Sequence, residues 1–332
     1  MNKPIDFVVL WVDCNDAEWQ KEKRKYSGVS EVDNSVIRYQ DWENLKYWFR
    51  SVEKYAPWVN CVHLVTNGQV PEWLNTECPK LNLVKHSDYM PSAALPTFNS
   101  NAIEVGICDI PALSKCFVLF NDDMFLTAPV SEEYYFKNGV PVDMVGFISA
   151  PQINHDNVFS FLMKNNNDVI FSHFTRKEIV TDNVMMWFRP WYGKTFLRSL
   201  IYALKKGRVG FVIPHLSTPY LKTDFKRVWD KEEEKMRATQ HNRFRSKTDL
   251  THFLFRNWRM SLGEFVPRKS KGKYFSVENT DDAKKIASAI LKNKYPEICI
   301  NEQCSGETFE EIKKIVNSAF EQKLPQKSMF ER

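Results

Sequence analysis

Apolar and polar positions along the chain change period several times, and each change marks an element. Residues 5–12, IDFVVLWV, form an apolar run broken by one early acid, the pattern of a strand covered on both faces in a parallel sheet. DCNDAEW follows as a loop at that strand's C-terminal end, with Asp16 placed to cap the charged segment beyond it. Over 41–56, DWENLKYWFRSVEKYA, the apolar Leu45, Trp48, Phe49 and Val52 recur at helical spacing, and Pro57 ends the helix. VNCVHLVTNG (59–68) reads as a second strand running into the turn pair Asn67-Gly68, and LNLVKHSD (81–88) as a third. A helix is predicted from 100 to 107, reaching 114 if it passes Pro111, and the strand 117–121 comes next.

Strands alternating with helices through the first 130 residues predict an α/β fold, a Rossmann-like core with a mostly parallel sheet. Past that point the pattern mixes. MVGFISA (144–150) reads as a strand, TFLRSLIYALKKG (195–207) as a helix stopped by Gly207, and 225–249 as helical as far as QHNRFRSKTDL. DDAKKIASAILKNK and ETFEEIKKIVNSAF are amphipathic helical elements near the C-terminus, and PRKSKGKYFSV (267–277) has the composition of a linker.

Composition narrows the class. A chain of 332 residues with 43% hydrophobic and 14% aromatic content can bury a large core and is not disordered. Its net charge of +5 suits an anionic ligand such as a nucleotide or phosphate, or loose contact with an anionic membrane. The charge is too modest for nucleic acid, since no dense basic patch alternates with aromatics. The seven cysteines form no CxxC pair and no zinc spacing, and their scatter through apolar runs is the usage of a reducing cytosol. Pro4 and Asp6 interrupt the N-terminus before a signal-peptide core can form, and no apolar run reaches the roughly 18 residues of a membrane span. A cytoplasmic protein is expected, with peripheral contact at the inner face of the membrane left open.

Candidate chemistry gathers at the strand ends, where open α/β sheets bind ligands. Three polar clusters fall there: Asp13 with Asp16, Thr66-Asn67-Gly68, and Asn121-Asp122-Asp123. The last sits inside FVLFNDDMFL (117–126), where burying a carboxylate is costly unless it is paired or bound to a metal. Adjacent carboxylates suit Mg²⁺ or Mn²⁺, and Asn-Asp-Asp equally suits a capped turn. LPTFNSNAIE (95–104) sets Asn99, Ser100 and Asn101 ahead of Glu104, offering either donors for an anion or a plain N-cap. His215 lies in the rigid loop IPHLSTPYLK (213–222). Arg243 and Arg245 lie close to His241 in QHNRFRSKTDL (240–250), as phosphate forks or as a solvated basic face.

Taken in order, these stretches resemble the Stealth proteins, the sugar-1-phosphate transferases of bacterial capsule and cell-surface polysaccharide synthesis. The eukaryotic N-acetylglucosamine-1-phosphotransferase that tags lysosomal enzymes shares their catalytic core. The matching blocks are IDFVVLWVDCND (5–16), RYQDWENLKYWFRSVEKYAPWVNCVHLVTNGQVPEWL (38–74) continuing through LPTFNSNAIE and LFNDDMFL, IPHLSTPYLKTDF with HNRFRSKTDL, and EICINEQC with the ending LPQKSMFER. Ile300-Asn301-Glu302 departs from the family, which usually has Asn-Asp there.

The resemblance implies a nucleotide-sugar donor, typically a UDP-sugar such as UDP-GlcNAc, and a divalent metal, usually Mg²⁺ with Mn²⁺ as the alternative. It implies transfer of the sugar with its phosphate to a glycan or lipid-linked glycan, giving a phosphodiester. Carried over by motif, Glu104, Asp123, His215 and Arg245 are the catalytic residues, and Asp122 with Asp123 would hold the metal. Trp11 and Arg50 of the matching blocks join Asp13, Asp16, Asn67, Gly68, Asn99, Ser100 and Arg243 as donor-binding candidates. Asp6 shares the first block but starts its strand, away from the ligand end, and is read as supporting the fold. His215 is the first choice of base, because an unperturbed pKa near 6.5 suits the task, and Glu104 is its rival. The catalytic domain is then expected over 1–266, with 131–212 as an acceptor-side insertion and 267–332 as a helical segment packed on the core. Two other readings stay open: a metal-dependent glycosyltransferase releasing a nucleoside diphosphate, and a non-catalytic nucleotide-sugar or polysaccharide binding module.

Overall fold

In the computed structural model, which describes residues 3–27, 41–155 and 157–332, the first apolar run forms β1 (Ile5–Leu10), with Phe7, Val8 and Val9 wholly buried. β2 (Val62–Thr66) and β3 (Leu81–Lys85) extend the sheet in parallel on one side of it, and β4 (Cys116–Phe120) lies parallel on the other. The chain order thus reverses between β1 and β4, so the crevice beyond their C-terminal ends is the natural ligand site of this sheet. The Rossmann-like expectation holds. The sheet also carries an antiparallel edge strand, Thr218–Leu221, paired with β4. In sequence that segment had looked like loop because it contains Pro219, a residue sheets tolerate at an edge.

Alternation along the strands divides the core in two. Ile5, Phe7, Val9, Val118 and Phe120 face the helix Leu45–Tyr55 and the C-terminal helices Thr280–Leu291 and Glu307–Lys323. Val8, Phe117 and Leu119 face the other way, toward the helices Val158–His173, Lys222–His241 and Phe253–Ser261. The first and last of these three were not legible as helices in the sequence. The helix read from residue 100 stops at Glu104, followed by a single tight turn at Ile107–Asp109.

The C-terminal segment is more than helical. Lys273–Val277 pairs in parallel with Glu297–Glu302, which pairs antiparallel with Met124–Leu126, and the stretch read as a linker therefore carries a strand. The Ile300 N–H donates to the carbonyl of Asp123 at 2.9 Å, so the last strand is laced to the acidic turn after β4. Arg50 fastens the same segment from the helix side. Its Nε and Nη2 donate to the two oxygens of Glu331 at 2.9 and 2.8 Å, and its Nη1 to the Leu324 carbonyl at 2.7 Å and to Glu321 at 3.3 Å. With its donors spent this way, Arg50 clasps the chain end and does not reach the strand-end crevice, contrary to its place among the donor-binding candidates. Asp6 is likewise at the far end of β1, where its carboxylate accepts from Asn60 at 2.8 Å and from the Ser114 N–H at 2.7 Å, beside His63 at 3.0 Å.

Candidate active site

The crevice is built from loops tied to one another before any ligand arrives. Beyond β1, the Trp11 N–H donates to the Val65 carbonyl at 3.0 Å, keeping the first two strands in register to their ends. Gln69 then joins the two loops. Its Oε1 accepts from the Asp13 N–H and its Nε2 donates to the Asp13 carbonyl, both at 2.9 Å. The Thr66 hydroxyl donates to the Gln69 carbonyl at 2.9 Å and accepts from the Gly68 N–H at 3.0 Å; Gly68 sits at φ +118°, which L side chains rarely adopt. Asn67 and Gly68 are left exposed at this mouth. Asp13 turns its carboxylate to the Asn15 N–H at 2.8 Å, and Asp16 caps the helix Ala17–Tyr26 by accepting from the Trp19 N–H at 2.7 Å. The capping expectation for Asp16 is met.

Across the crevice, Asn121-Asp122-Asp123 turns tightly out of β4, with the Met124 N–H on the Asn121 carbonyl at 3.2 Å. Asp123 Oδ2 accepts from the Cys299 thiol at 3.2 Å, while Oδ1 is buried without a hydrogen-bond partner among the described residues. Such an orphaned oxygen is costly and calls for an explanation. Burial first, and then the charge of Glu302, push the Asp123 carboxyl up to about 7 in spite of the Cys299 bond. Asp122 is open to solvent but sits in a concavity crowded by protein, and with Asp123, Glu302 and Asp41 near it rises to about 8. Glu302 is held from the side by the Trp42 indole N–H at 3.0 Å. These acids press on one another, and with burial that raises the carboxyls of Asp122 and Asp123.

His215 occupies the next wall. Its backbone is left-handed at φ +47°, an uncommon state for a residue with a side chain and one that marks a constrained loop. The loop is held two residues on, where the Ser217 N–H donates to Glu297 at 2.6 Å and the Ser217 hydroxyl donates to the Tyr135 hydroxyl at 3.0 Å. The imidazole lies 5.2 Å from the Tyr274 ring and 6.2 Å from Phe253, and burial lowers its pKa, so it is neutral near pH 7. Tyr274 reaches toward the acids, donating to Asn301 at 3.1 Å, and burial, helped by the charges of Cys299, Asp123 and Glu302, raises its own pKa.

Glu104 lies in a second, buried polar pocket beside His252, at the end of the short helix Ser100–Glu104. Burial pushes its carboxyl up to about 7 against the pull of Arg245, the His252 N–H and the Ser100 hydroxyl. Arg245 Nη2 donates to Ser100 Oγ at 2.7 Å, and His252 Nε2 stands 3.9 Å from Glu104. His252 is fixed by the Tyr220 hydroxyl at 2.8 Å, and burial, with the charges of Arg256 and His215, holds its pKa down to about 3. This pocket exists because the stretches 95–104 and 240–250 are fastened together by buried Asp249. It accepts from Asn242 at 2.7 Å, Asn99 at 2.8 Å, the Ser246 N–H at 3.0 Å and Asn101 at 3.2 Å. Asn99 also donates to the Asn242 and Phe244 carbonyls at 3.0 and 3.2 Å, so it is a fastener, not a free donor for a ligand. Arg243 donates to the Pro96 carbonyl at 2.9 Å and lies 4.7 Å over the Tyr26 ring.

Asp123 neighbours Tyr274, Tyr274 lies against His215, and His252 links His215 to Glu104, Arg245 and Ser100, while Arg50 and Asn99 spend their donors on fold contacts. The structure adds Gln69, Tyr274, Asn301 and His252, none of which carries a local signal. Among the described residues no group of three or more His, Cys, Asp or Glu is arranged to hold a metal by itself. The orphaned Asp123 oxygen and the raised carboxyls nonetheless fit a hard divalent cation that takes one or two carboxylates and completes its shell with phosphate oxygens and water.

Residues 3–30 match Stealth protein CR1, conserved region 1, and residues 38–143 match Stealth protein CR2, conserved region 2. The chain is 40% identical to the capsular polysaccharide phosphotransferase WcwK of Streptococcus pneumoniae, over 99% of its own length and 98% of that relative. It is 38% identical to the receptor polysaccharide phosphotransferase WefC of Streptococcus gordonii across the full length of both, and 38% identical to an exopolysaccharide phosphotransferase of Lactiplantibacillus plantarum over 99% and 96% of the two chains. The chain belongs to the Stealth family. The two conserved regions of this Stealth phosphotransferase carry β1 to β4 and with them Asp122, Asp123 and Glu104, while His215, Arg245 and Glu302 lie in the part covered by full-length likeness to the relatives. Residues 38–40 of the second matching block lie outside the described residues. As a Stealth phosphotransferase the protein is an enzyme, which sets aside the binding-module reading. No helix among the described residues is long and apolar enough to cross a membrane.

Proposed function

We propose that this Stealth protein transfers a hexose-1-phosphate from a nucleotide-sugar, a UDP-sugar, to a glycan hydroxyl, forming a phosphodiester and releasing the nucleoside monophosphate. Capsular, receptor and exopolysaccharide phosphotransferases among its relatives support capsule or cell-surface polysaccharide as the product. The observation that carries the reading is the acidic cluster at the β1–β4 crevice, with a partnerless Asp123 oxygen, set opposite a neutral His215 and the Arg245–Glu104 pocket.

In-line attack on a phosphorus needs positioning and charge neutralisation more than covalent help. His215, kept neutral by burial, accepts the proton of the attacking hydroxyl. Arg245, oriented by Ser100 and Glu104, donates to the phosphoryl oxygens as charge moves toward the leaving group. Trp11 and the Asn67-Gly68 turn line the nucleotide side, with Asp13 shaping the loop between them. A Mg²⁺ held by Asp122 and Asp123 would neutralise the diphosphate.

The test is a donor screen with Mg²⁺ and EDTA arms, reading the nucleotide released. UMP in the Mg²⁺ arm alone is the expected result; UDP would identify an ordinary glycosyltransferase attacking the anomeric carbon. A second expectation concerns pH. Carboxyls near 7 and 8 must lose their protons to take a cation, so Mg²⁺ affinity rises with pH through that window. One proton released per ion would give roughly a tenfold gain between about pH 6 and 7. Calorimetry in two buffers of different ionisation heat counts those protons, and an affinity flat from about pH 6 to 8 contradicts the assignment.

A further inference from the structure

The helix Lys194–Leu204, KTFLRSLIYAL, presents three different rows along its length. The inward row packs on the protein: buried Ser199 accepts from the Phe147 N–H at 3.0 Å, and Phe196, Tyr202 and Ala203 lie against the core. A second row, Leu197, Leu200, Ile201 and Leu204, steps by three and four residues and faces outward, exposed at 59, 43, 63 and 81%. Lys194, Arg198 and Lys205 form a third row beside it, at steps of four and seven. Trp191, on the turn that leads into the helix, is half exposed, and Val184 and Met185 of the same segment are also exposed. From residue 183 to 208 the chain carries six cations, Arg189, Lys194, Arg198, Lys205, Lys206 and Arg208, and no acid.

An outward apolar row of this size on a surface helix marks an interaction face. We infer that this face is an interfacial anchor that lies flat on an anionic lipid bilayer, with the leucine row at the acyl boundary and the flanking cations on headgroup phosphates. The charge pattern selects lipid over a second copy of the chain. A symmetric dimer through this face would set two like-charged basic rows against each other, whereas an anionic bilayer complements both rows at once. The strand Val209–Phe211 leads from the helix toward His215, so anchoring here would bring the His215 loop near the membrane surface. The inference stands on the face alone and does not depend on the reaction proposed above.

The full-length protein is tested by co-sedimentation with phosphatidylglycerol vesicles and with phosphatidylcholine vesicles. Binding to the anionic vesicles, about tenfold or more weaker on the neutral ones and reduced in high salt, is expected. Ile201→Asp combined with Leu204→Asp should lower that binding by at least about tenfold, and because both side chains are exposed the fold should be unaffected, as a thermal melt will verify. Lys194→Glu with Arg198→Glu should weaken the anionic arm selectively. Failure of the parent protein to bind anionic vesicles, or undiminished binding by the aspartate variant, overturns the inference. So does a lipid-free dimer, seen by sedimentation velocity, that the aspartate variant dissociates, since the face would then belong to a second copy.

Discussion

Asp123→Asn is expected to lower kcat by about 10³-fold or more and, at the same time, to make the protein more heat-stable at pH 8. Both effects come from the same oxygen. The Asp123 carboxylate faces the crevice beside Asp122 and Glu302, and its Oδ1 has no hydrogen-bond partner among the described residues. In the proposed reaction the negative charge is required, and the amide cannot supply it. For the free protein that charge is a burden. The carboxyl titrates near 7 in the fold against 3.8 for the ordinary group, so between those values the unfolded chain is ionised while the folded chain still holds its proton. Stability accordingly falls as pH rises through the window and is lowest above it. Asp123 is partly solvated, which discounts the effect to about 1–2 kcal/mol, or a rise of roughly 2 °C in Tm for the asparagine variant at pH 8. The pH-dependent difference should be largely gone at about pH 3, below the ordinary value of 3.8, where the wild-type carboxyl is mostly protonated folded and unfolded. Melting curves at the two pH values, read beside turnover, check this; an active variant, or one less stable at pH 8, would contradict the role given to Asp123.

Asp143→Ala should have the largest effect on stability, about 3–5 kcal/mol. Asp143 lies between two arginines with almost no solvent access. Arg256 donates to it through Nε and Nη2, both at 2.8 Å, and Arg259 stands 3.5 Å away while pairing mainly with Asp224. Removing the carboxylate leaves two buried cations facing one remaining acid, which costs more than the network contributes when whole. The consequence reaches the active site. Arg256 also donates to the Val212 carbonyl at 2.9 Å, three residues before His215, and so helps to set the His215 loop. A urea titration should show the midpoint falling sharply, with activity lost in whatever fraction stays folded. A change under about 1 kcal/mol would mean that water reaches the arginines readily.

Much of this was legible beforehand for local reasons. The apolar run at 7–12 and the apolar segment before Asn121 could only be doubly covered strands, and polar residues directly after such strands could only collect at one edge of a parallel sheet. The pairing of 95–104 with 240–250 was not local, and neither was the fastener Asp249, which looks in sequence like any acid in a charged loop. Arg50 and Asn99 were misassigned for a related reason. Each stands in a stretch that resembles the family's functional blocks, and a block contains the residues that hold a site together as well as those that line it.

By itself, then, the sequence determined the parallel core, the acidic turn after β4 and the small set of polar residues that meet around it, because periodicity and strand-end polarity are properties of short windows. Only the tertiary structure decided which of those residues remain open to a ligand. Arg50 is consumed by Glu331, 281 residues away, and Asp123 meets Cys299 across a separation of 176, contacts that no window of the chain encodes. A polar side chain becomes functional when folding leaves its hydrogen bonds unfinished, and that account can be drawn up only after every partner has been placed.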